Sequence, residues 1–363
     1  MSLALLGLGT AVPLYSIEQR DAARLANVLY PGDSDRERLV ATLYERMRIQ
    51  KRGSVLLGPG KNEGPEQFFF PPARGEFDRG PTTEERMECY IEEAGALALA
   101  SARRALEESG IATSRLTHLV TVSCTGFKAP GLDVMLIREL GLDPAVARTH
   151  IGFMGCHGAI NGLRVAQAFA DAVPSSRVLL VAVELCSLHF SYGGEREKIV
   201  VNGLFADGAG AVVVGRESTR AGDAWELKAT GSTLFPDSEE AMSWRVGNHG
   251  FEMTLSPRVP DLIASHLGPW LERWLVQRGL ALHQIRSWAV HPGGPKVLDA
   301  VSEALGLSRE ATFVSREILR EFGNMSSATT LFILERLRRQ KASGPCLALA
   351  FGPGLAAEVA LLG

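Results

Sequence analysis

Two kinds of apolar pattern alternate along the chain. Short β-branched runs (Leu116 to Val122, Arg177 to Val183, Gly210 to Val214, Trp288 to Val290, Leu347 to Phe351) read as strands buried on both faces. Longer amphipathic stretches between them predict helices over Glu84 to Ser109, Gly162 to Ala172, Pro260 to Gly279 and Ala328 to Gln340. That alternation predicts an α/β layout, with helices covering the faces of a sheet. The apolar opening, Leu3 to Gly9, reads as a buried strand rather than a signal peptide, because no basic residue precedes it and it turns at Pro13. Residues 53–83 interrupt the pattern. Gly58-Pro59-Gly60, Phe68-Phe69-Phe70-Pro71-Pro72 and Gly80-Pro81 mark a long excursion, and the phenylalanine cluster is expected to pin it to the body.

The elements also recur in order. Ala4 to Pro13 is similar to Leu227 to Pro236, and Leu116 to Leu142 to Arg286 to Leu307. Gly155-Cys156 precedes one helix as Gly323-Asn324 precedes another, and Val178 to Val183 parallels Leu347 to Phe351. The expectation is an internal duplication, with halves at 1–216 and 217–363. Its mechanistic consequence is that Cys156 and Asn324 occupy equivalent helix starts across a pseudo-twofold, with His291 at a strand end beside them.

Composition narrows the function. The 363 residues, 46% hydrophobic and 22% charged, suffice for two compact lobes or one large duplicated domain. A formal charge of -3 gives no general attraction to nucleic acid or anionic membrane. No apolar run reaches the ~18 residues of a membrane span. The cysteines, Cys89, Cys124, Cys156, Cys186 and Cys346, are odd in number and lack CxxC spacing. Neither a disulfide framework nor a metal site is indicated, and reduced, cytoplasmic thiols are the expectation.

Among these thiols Cys156 stands out. It lies in Gly152-Phe153-Met154-Gly155-Cys156-His157-Gly158, ahead of a helical run from Ala159 to Ala172. A glycine-flanked thiol at a helix start is open to substrate, and the helix dipole favours its thiolate. His291, in Val290-His291-Pro292-Gly293-Gly294, is left at a strand tip by the turn residues behind it. Asn324, in Phe322-Gly323-Asn324-Met325-Ser326-Ser327-Ala328, is either a helix cap or a side-chain amide aimed at an oxyanion.

Together these motifs resemble the Cys-His-Asn set of type III polyketide synthases, the chalcone synthase-like enzymes. Gly352-Pro353-Gly354-Leu355-Ala356 resembles that family's C-terminal loop, and Leu204 to Ala209 resembles its gatekeeper segment with Phe205. The resemblance runs from the first strand to the last residue. It implies the thiolase-like fold, duplicated αβαβα layered halves, and a homodimer with one site per subunit. It also implies iterative decarboxylative condensation of malonyl-CoA onto an acyl-CoA starter, with CoA thioesters as substrates and no cofactor or metal. Cys156 is then the acyl-carrying nucleophile, and His291 and Asn324 stabilise the enolate left by loss of CO2. The family's phosphate-binding position falls on Arg46; Arg48, Lys51, Arg52 and Lys296 are further basic candidates at the CoA mouth.

The pocket departs from the plant pattern. Met253 stands at the second gatekeeper position, Trp244 at a cavity-lining glycine, and Ala129 at the residue that crosses between subunits. Cys124, Thr125, Cys186 and His189 occupy small or hydroxylated positions, and Ser326 is kept. A reshaped pocket of this kind favours an aliphatic starter, leading to a pyrone, resorcinol or related product. The alternatives are a ketoacyl synthase III-like enzyme making one condensation, and a non-catalytic thiolase-fold partner that binds acyl-CoA. A cysteine hydrolase is disfavoured because no acid accompanies the histidine motif.

Overall fold

Alternation within single strands sets the layering. In the computed structural model, which describes residues 3–30, 34–60, 65–216 and 225–363, Val178, Leu180 and Ala182 join one core while Leu179, Val181 and Val183 join another. The same holds near the far end of the chain. Cys346, Ala348 and Ala350 face inward to the shared core, and Leu347, Leu349 and Phe351 face a third. A strand that is apolar on both faces must be covered on both, so two sheets need three layers of helix.

The central sheet is built, in chain order, from β1 (Leu3–Ala11), β2 (His118–Ser123), β3 (Ala147–Gly152), β4 (Arg177–Leu185), β5 (Asp207–Gly215) and β6 (Glu226–Leu234). A hairpin, β7 (Met242–Gly247) and β8 (Gly250–Leu255), stands outside it, and β9 (Ser287–Val290), β10 (Cys346–Gly352) and β11 (Ala356–Leu362) complete it. The helices are α1 (Gln19–Ala26), α2 (Ser34–Arg46), α3 (Thr83–Ser109), α4 (Leu132–Leu140) and α5 (Gly158–Ala172). They continue with α6 (Arg196–Leu204), α7 (Val259–Val276), α8 (Pro295–Ala304), α9 (Phe313–Phe322) and α10 (Ala328–Arg339).

The strand order, β9-β10-β11-β6-β1-β5-β4-β2-β3, is symmetric about β6 and β1 except for β3, an extra edge strand in the first half. β2 runs parallel to β4 as β9 does to β10, and β5 antiparallel to β4 as β11 does to β10. The internal duplication expected from the sequence is therefore present in the topology. Its two halves touch edge to edge only where Leu3 faces Leu227 and Ala4 faces Glu226. Beyond that point the sheets part and hold α5 and α10 between them. α5 packs on β2 and β4 of its own half and on β11 of the other; α10 packs on β1 and β5 as well as on β9. α3 covers the outer face of the first half, and α7 with α8 that of the second. The expected boundary at 216/217 adjoins residues 217–224, which lie outside the described residues.

α3 starts at a capping box in which Thr82 and Glu85 satisfy each other's backbone N–H. The excursion before it forms a small ladder between Leu57–Pro59 and Pro65–Gln67. Of the phenylalanine cluster, Phe70 is buried and stacks on Phe190, whereas Phe68 is 67% exposed. Phe70 and the half-buried Phe69, set edge-on to it with ring centroids 5.1 Å apart, do the pinning.

Candidate functional site

The chain reaches Cys156 through a turn that only a strained backbone permits. Phe153 and Gly155 both adopt left-handed φ, 55° and 70°. Phe153 is held there by aromatic contact with Phe251, ring centroids 5.3 Å apart, and such a residue typically costs about 1–3 kcal/mol. Gly155 is needed for space as well: a Cβ there would lie 2.7 Å from Pro353 Cδ. The loop after β10 thus closes directly beneath the nucleophile. Cys156 follows in a short 3-10 turn that runs into α5.

The thiol is not the ready thiolate that its place at a helix start suggests. Cys156 is 8% exposed, and burial pushes its pKa up to about 12. Ser326, and more weakly the Asn324 amide, face the sulfur and pull the other way, while Glu184 adds to the rise. A dipole contribution of about 0.3–1 kcal/mol is too small to offset desolvation of this size.

His291 follows β9. Its backbone N–H donates to Leu349 O at 2.7 Å, which fixes the histidine to the middle of β10. The ring is buried, both ring nitrogens lack a protein partner among the described residues, and its pKa is pulled down to about 3 by burial and by the neighbouring His157. Asn324 is likewise buried. Its Oδ1 accepts the Ser326 N–H at 2.8 Å, leaving Nδ2 without a completed hydrogen bond. It is not a helix cap: α10 begins four residues later, after Ser327. Unpartnered buried donors are costly, and here two of them, on His291 and Asn324, belong to the residues grouped with Cys156.

Cys156 lines a narrow cavity of about 40 Å3. Of the pocket residues expected from sequence, Phe205, Met253, Trp244, Cys124, Thr125, Cys186, His189 and Ser326 all line it. Ala129 does not. It sits exposed in the loop before α4 and does not reach the cavity. Trp244 is anchored, its Nε1 donating to Cys124 O at 2.6 Å. His189 is locked at both ends, because Nδ1 accepts the Phe251 N–H at 2.9 Å and Nε2 then donates to Thr125 O at 2.6 Å. These bonds strap the β7–β8 hairpin across the cavity as a rigid wall.

Among the basic candidates Arg52 needs correction. It is 5% exposed, its Nη1 donates to Asn202 O and Phe205 O at 2.6 Å each, and its face lies over Tyr44 and Phe190. A guanidinium so enclosed supports the gatekeeper segment and cannot meet a phosphate. Arg46, Arg48, Lys51 and Lys296 are exposed and make no ion pair among the described residues.

Sequence reading missed Glu184. It is fully buried on β4, and its carboxylate accepts from Cys124 N at 3.0 Å, from Thr125 Oγ1 at 2.8 Å and from Ser327 Oγ. Burial raises its pKa against those bonds. It fastens the Cys124–Thr125 wall to the start of α10. A glutamate inside an unbroken apolar run, Val181-Ala182-Val183-Glu184-Leu185, is the signal that could have found it.

A duplicated αβαβα fold, with a buried cysteine at the start of one central helix, an asparagine ahead of the other and a histidine at a strand end, defines a thiolase-fold condensing enzyme. The comparisons narrow the class. Residues 2–218 match the model for the N-terminal domain of chalcone and stilbene synthases, and residues 226–363 that for the C-terminal domain. The chain belongs to that family, and is an acyltransferase of the type III polyketide synthase kind. It is 33% identical over 97% of its length, and 88% of the relative's, to the alpha-pyrone synthesis polyketide synthase-like Pks18 of Mycobacterium tuberculosis. It is 38% identical to 1,3,6,8-tetrahydroxynaphthalene synthase of Streptomyces peucetius over 74% of this chain and 72% of the relative. Among solved structures, PKS-I of the brown alga Ectocarpus siliculosus superposes with a TM-score of 0.92 at 31% identity, covering 99% of this chain and 98% of that one. The type III domain of Steely1 from Dictyostelium gives 0.90 at 28%, covering 100% and 99%.

Proposed function

We propose that this synthase loads an aliphatic acyl-CoA starter on Cys156, extends it with malonyl-CoA in several decarboxylative rounds, and releases a cyclised pyrone, resorcinol or related product. The observation that carries the aliphatic starter is the state of the cavity's polar groups. Thr125, His189, Trp244 and Ser326 are each committed to protein partners. Only the Ser243 hydroxyl has none among the described residues. The rest of the wall is sulfur and hydrocarbon, including Cys186, Met242, Met253, Val201 and Phe205. Such a surface accepts a methylene chain and offers little to the hydroxyl of a phenolic starter.

In the proposed mechanism His291 takes the thiol proton as Cys156 attacks the starter thioester, the carbonyl oxygen becomes an oxyanion, and on its collapse the imidazolium gives the proton to the departing CoA sulfur. Malonyl-CoA then loses CO2, and the enolate oxygen meets the two donors that lack protein partners, a His291 ring N–H and Asn324 Nδ2. Donors already in place when charge appears are what such a step requires. The enolate carbon attacks the acyl thioester, frees the Cys156 thiolate and leaves the longer chain on CoA for reloading.

CoA is proposed to enter past Arg46 and Lys51, with Lys296 beside the histidine loop. An apolar cluster of Met47, Ile49, Leu204, Phe205 and Cys156 joins that surface to the thiol. The homodimer and the cytoplasmic setting of reduced thiols belong to the same proposal. No helix among the described residues is long and apolar enough to cross a membrane. The test is product mass from purified protein given malonyl-CoA and a panel of acyl-CoAs. Several extension units on an aliphatic starter support the proposal. Extension of coumaroyl-CoA alone, or a single unit as in a ketoacyl synthase, overturns it.

A further inference from the structure

The β7–β8 hairpin is a two-stranded sheet of its own, outside the nine-stranded one. A lone pair of strands is marginal in water, so its place at the cavity depends on what holds it. Trp244 and Met253 stand opposite each other in its ladder, and both line the cavity. The bonds to Cys124 and His189 hold the middle of the hairpin. Its tip, Gly247-Asn248-His249-Gly250, needs a separate hold, because Asn248 and His249 are exposed.

That hold comes from the start of α3, in the other half of the fold. Thr83, the first residue of the helix, makes three bonds to the tip. Its N–H, one of the donors a helix start leaves free, donates to Asn248 O at 2.9 Å. Its hydroxyl accepts the Gly250 N–H at 2.9 Å and donates to Gly247 O. His249 Nδ1 adds a fourth bond, donating to Gly80 O at 2.8 Å. Gly250 is buried with φ 103°, and a Cβ there would lie 3.0 Å from the Arg86 guanidinium. Arg86, on the same turn of α3, is itself fully buried. It donates to Leu188 O, and to Phe190 O at 3.0 Å, at the end of the turn that carries Cys186 and His189. One helix start therefore grips both the hairpin and the neighbouring wall of the cavity. Because α3 packs along β1 and β5, this grip is tied to the core of the first half.

We propose that Thr83 is a positioning residue for chain growth. Its clasp on the hairpin tip sets how far Trp244 and Met253 reach into the cavity, and through them the number of extensions before ring closure. The inference rests on the iterative reading above. Thr83 does not itself line the cavity, so its effect passes through the hairpin and leaves loading of Cys156 alone.

The test removes the hydroxyl and keeps the shape. Thr83→Val leaves the Gly250 N–H and the Gly247 carbonyl without their partner, whereas Thr83→Ser keeps both bonds. Amide hydrogen exchange over residues 242–255 reads the clasp without turnover. Product masses from malonyl-CoA and octanoyl-CoA read chain length, and intact mass reads acyl-Cys156. In Thr83→Val the tip amides are expected to exchange about fivefold to tenfold faster. The ratio of longer to shorter products is expected to shift by about threefold or more, with acyl-Cys156 forming within about twofold of the wild-type rate. Thr83→Ser is expected to restore both exchange and products. His249→Ala, at an exposed position, should move both readouts in the same direction, and carries the test should Thr83→Val not fold. Unchanged exchange in these variants overturns the clasp. Faster exchange with an unchanged product ratio overturns its role in chain growth, as does a serine variant that restores neither. A wild-type enzyme that stops after one condensation overturns the iterative reading, and this inference with it, whatever the exchange shows.

Discussion

Phe205 and Asn324 are joined through their backbones in an isolated parallel bridge. Asn324 N donates to Leu204 O at 3.0 Å, and Ala206 N to Asn324 O at 2.8 Å. The Phe205 ring that lines the cavity and the amide proposed for the enolate are therefore held on one backbone ladder. Gly323, just before, has φ 74°, and a Cβ there would lie 3.0 Å from Ala206 Cβ. Gly323→Ala is expected to destabilise the fold by about 1 kcal/mol or more, and to impair chain extension more than starter loading. Urea denaturation and single-turnover acylation separate the two effects. Equal loss of both steps would count against the coupling.

Asn324→Ala removes one enolate donor while leaving thiol and imidazole in place. Malonyl-CoA decarboxylation should fall by about 10²–10³-fold, with acyl-Cys156 still forming in an intact-mass measurement. Normal decarboxylation would take Asn324 out of the proposed mechanism.

Trp244→Gly deletes the anchored wall and its edge contact with His189, ring centroids 5.4 Å apart. Product length or ring closure should change while loading of Cys156 persists. An unaltered product spectrum would remove Trp244 from the set of residues that shape the chain.

Free Cys156, raised to about 12, and His291, lowered to about 3, describe a neutral thiol–imidazole pair. Alkylation by iodoacetamide should therefore keep rising with pH through the alkaline range. A rate that levels off by neutral pH would show a resting ion pair instead.

Burial also lowers His189 to about 3 from an ordinary 6.5. The unfolded chain takes up its proton near 6.5, whereas the folded chain resists until about 3. Stability contributed by the neutral ring is thus complete above about 6.5 and drains away as pH falls towards 3. His189→Gln is expected to flatten the dependence of Tm on pH in that window. An unchanged slope would assign the acid sensitivity to other groups, His291 among them.

What could be read from the chain divides along a physical line. Strands buried on both faces declare themselves, and Arg177–Leu185 and Cys346–Gly352 were legible as apolar runs. The edge strand Ala147–Gly152 was not, because its alternating exposure leaves a weak pattern in Ala-Arg-Thr-His-Ile-Gly. The hairpin Met242–Leu255 was missed for a related reason, since its buried Met242 and Phe251 stand apart among polar residues and find partners, His189 among them, only in the folded chain. At the site, residue types and turn glycines pointed to Cys156, His291 and Asn324. Their electrostatics did not follow, because desolvation depends on what the other half of the chain places around them. Arg52 shows the same limit. A basic residue among basic neighbours looks exposed until the tertiary structure folds two aromatic rings over it.

The contact between Gly155 and Pro353 has a bearing on how the enzyme comes into being. Cys156 leaves the ribosome long before the segment that covers it from below. During synthesis the nucleophile is an uncapped thiol on a half-finished protein, with neither His291 nor Asn324 yet made. Its dormancy in the finished fold, a thiol held protonated by burial, is acquired only once later segments of the chain, Pro353 among them, have packed around it. Before that moment oxidants and electrophiles meet an ordinary cysteine, which makes the nascent chain, rather than the mature enzyme, the form most exposed to chemical damage.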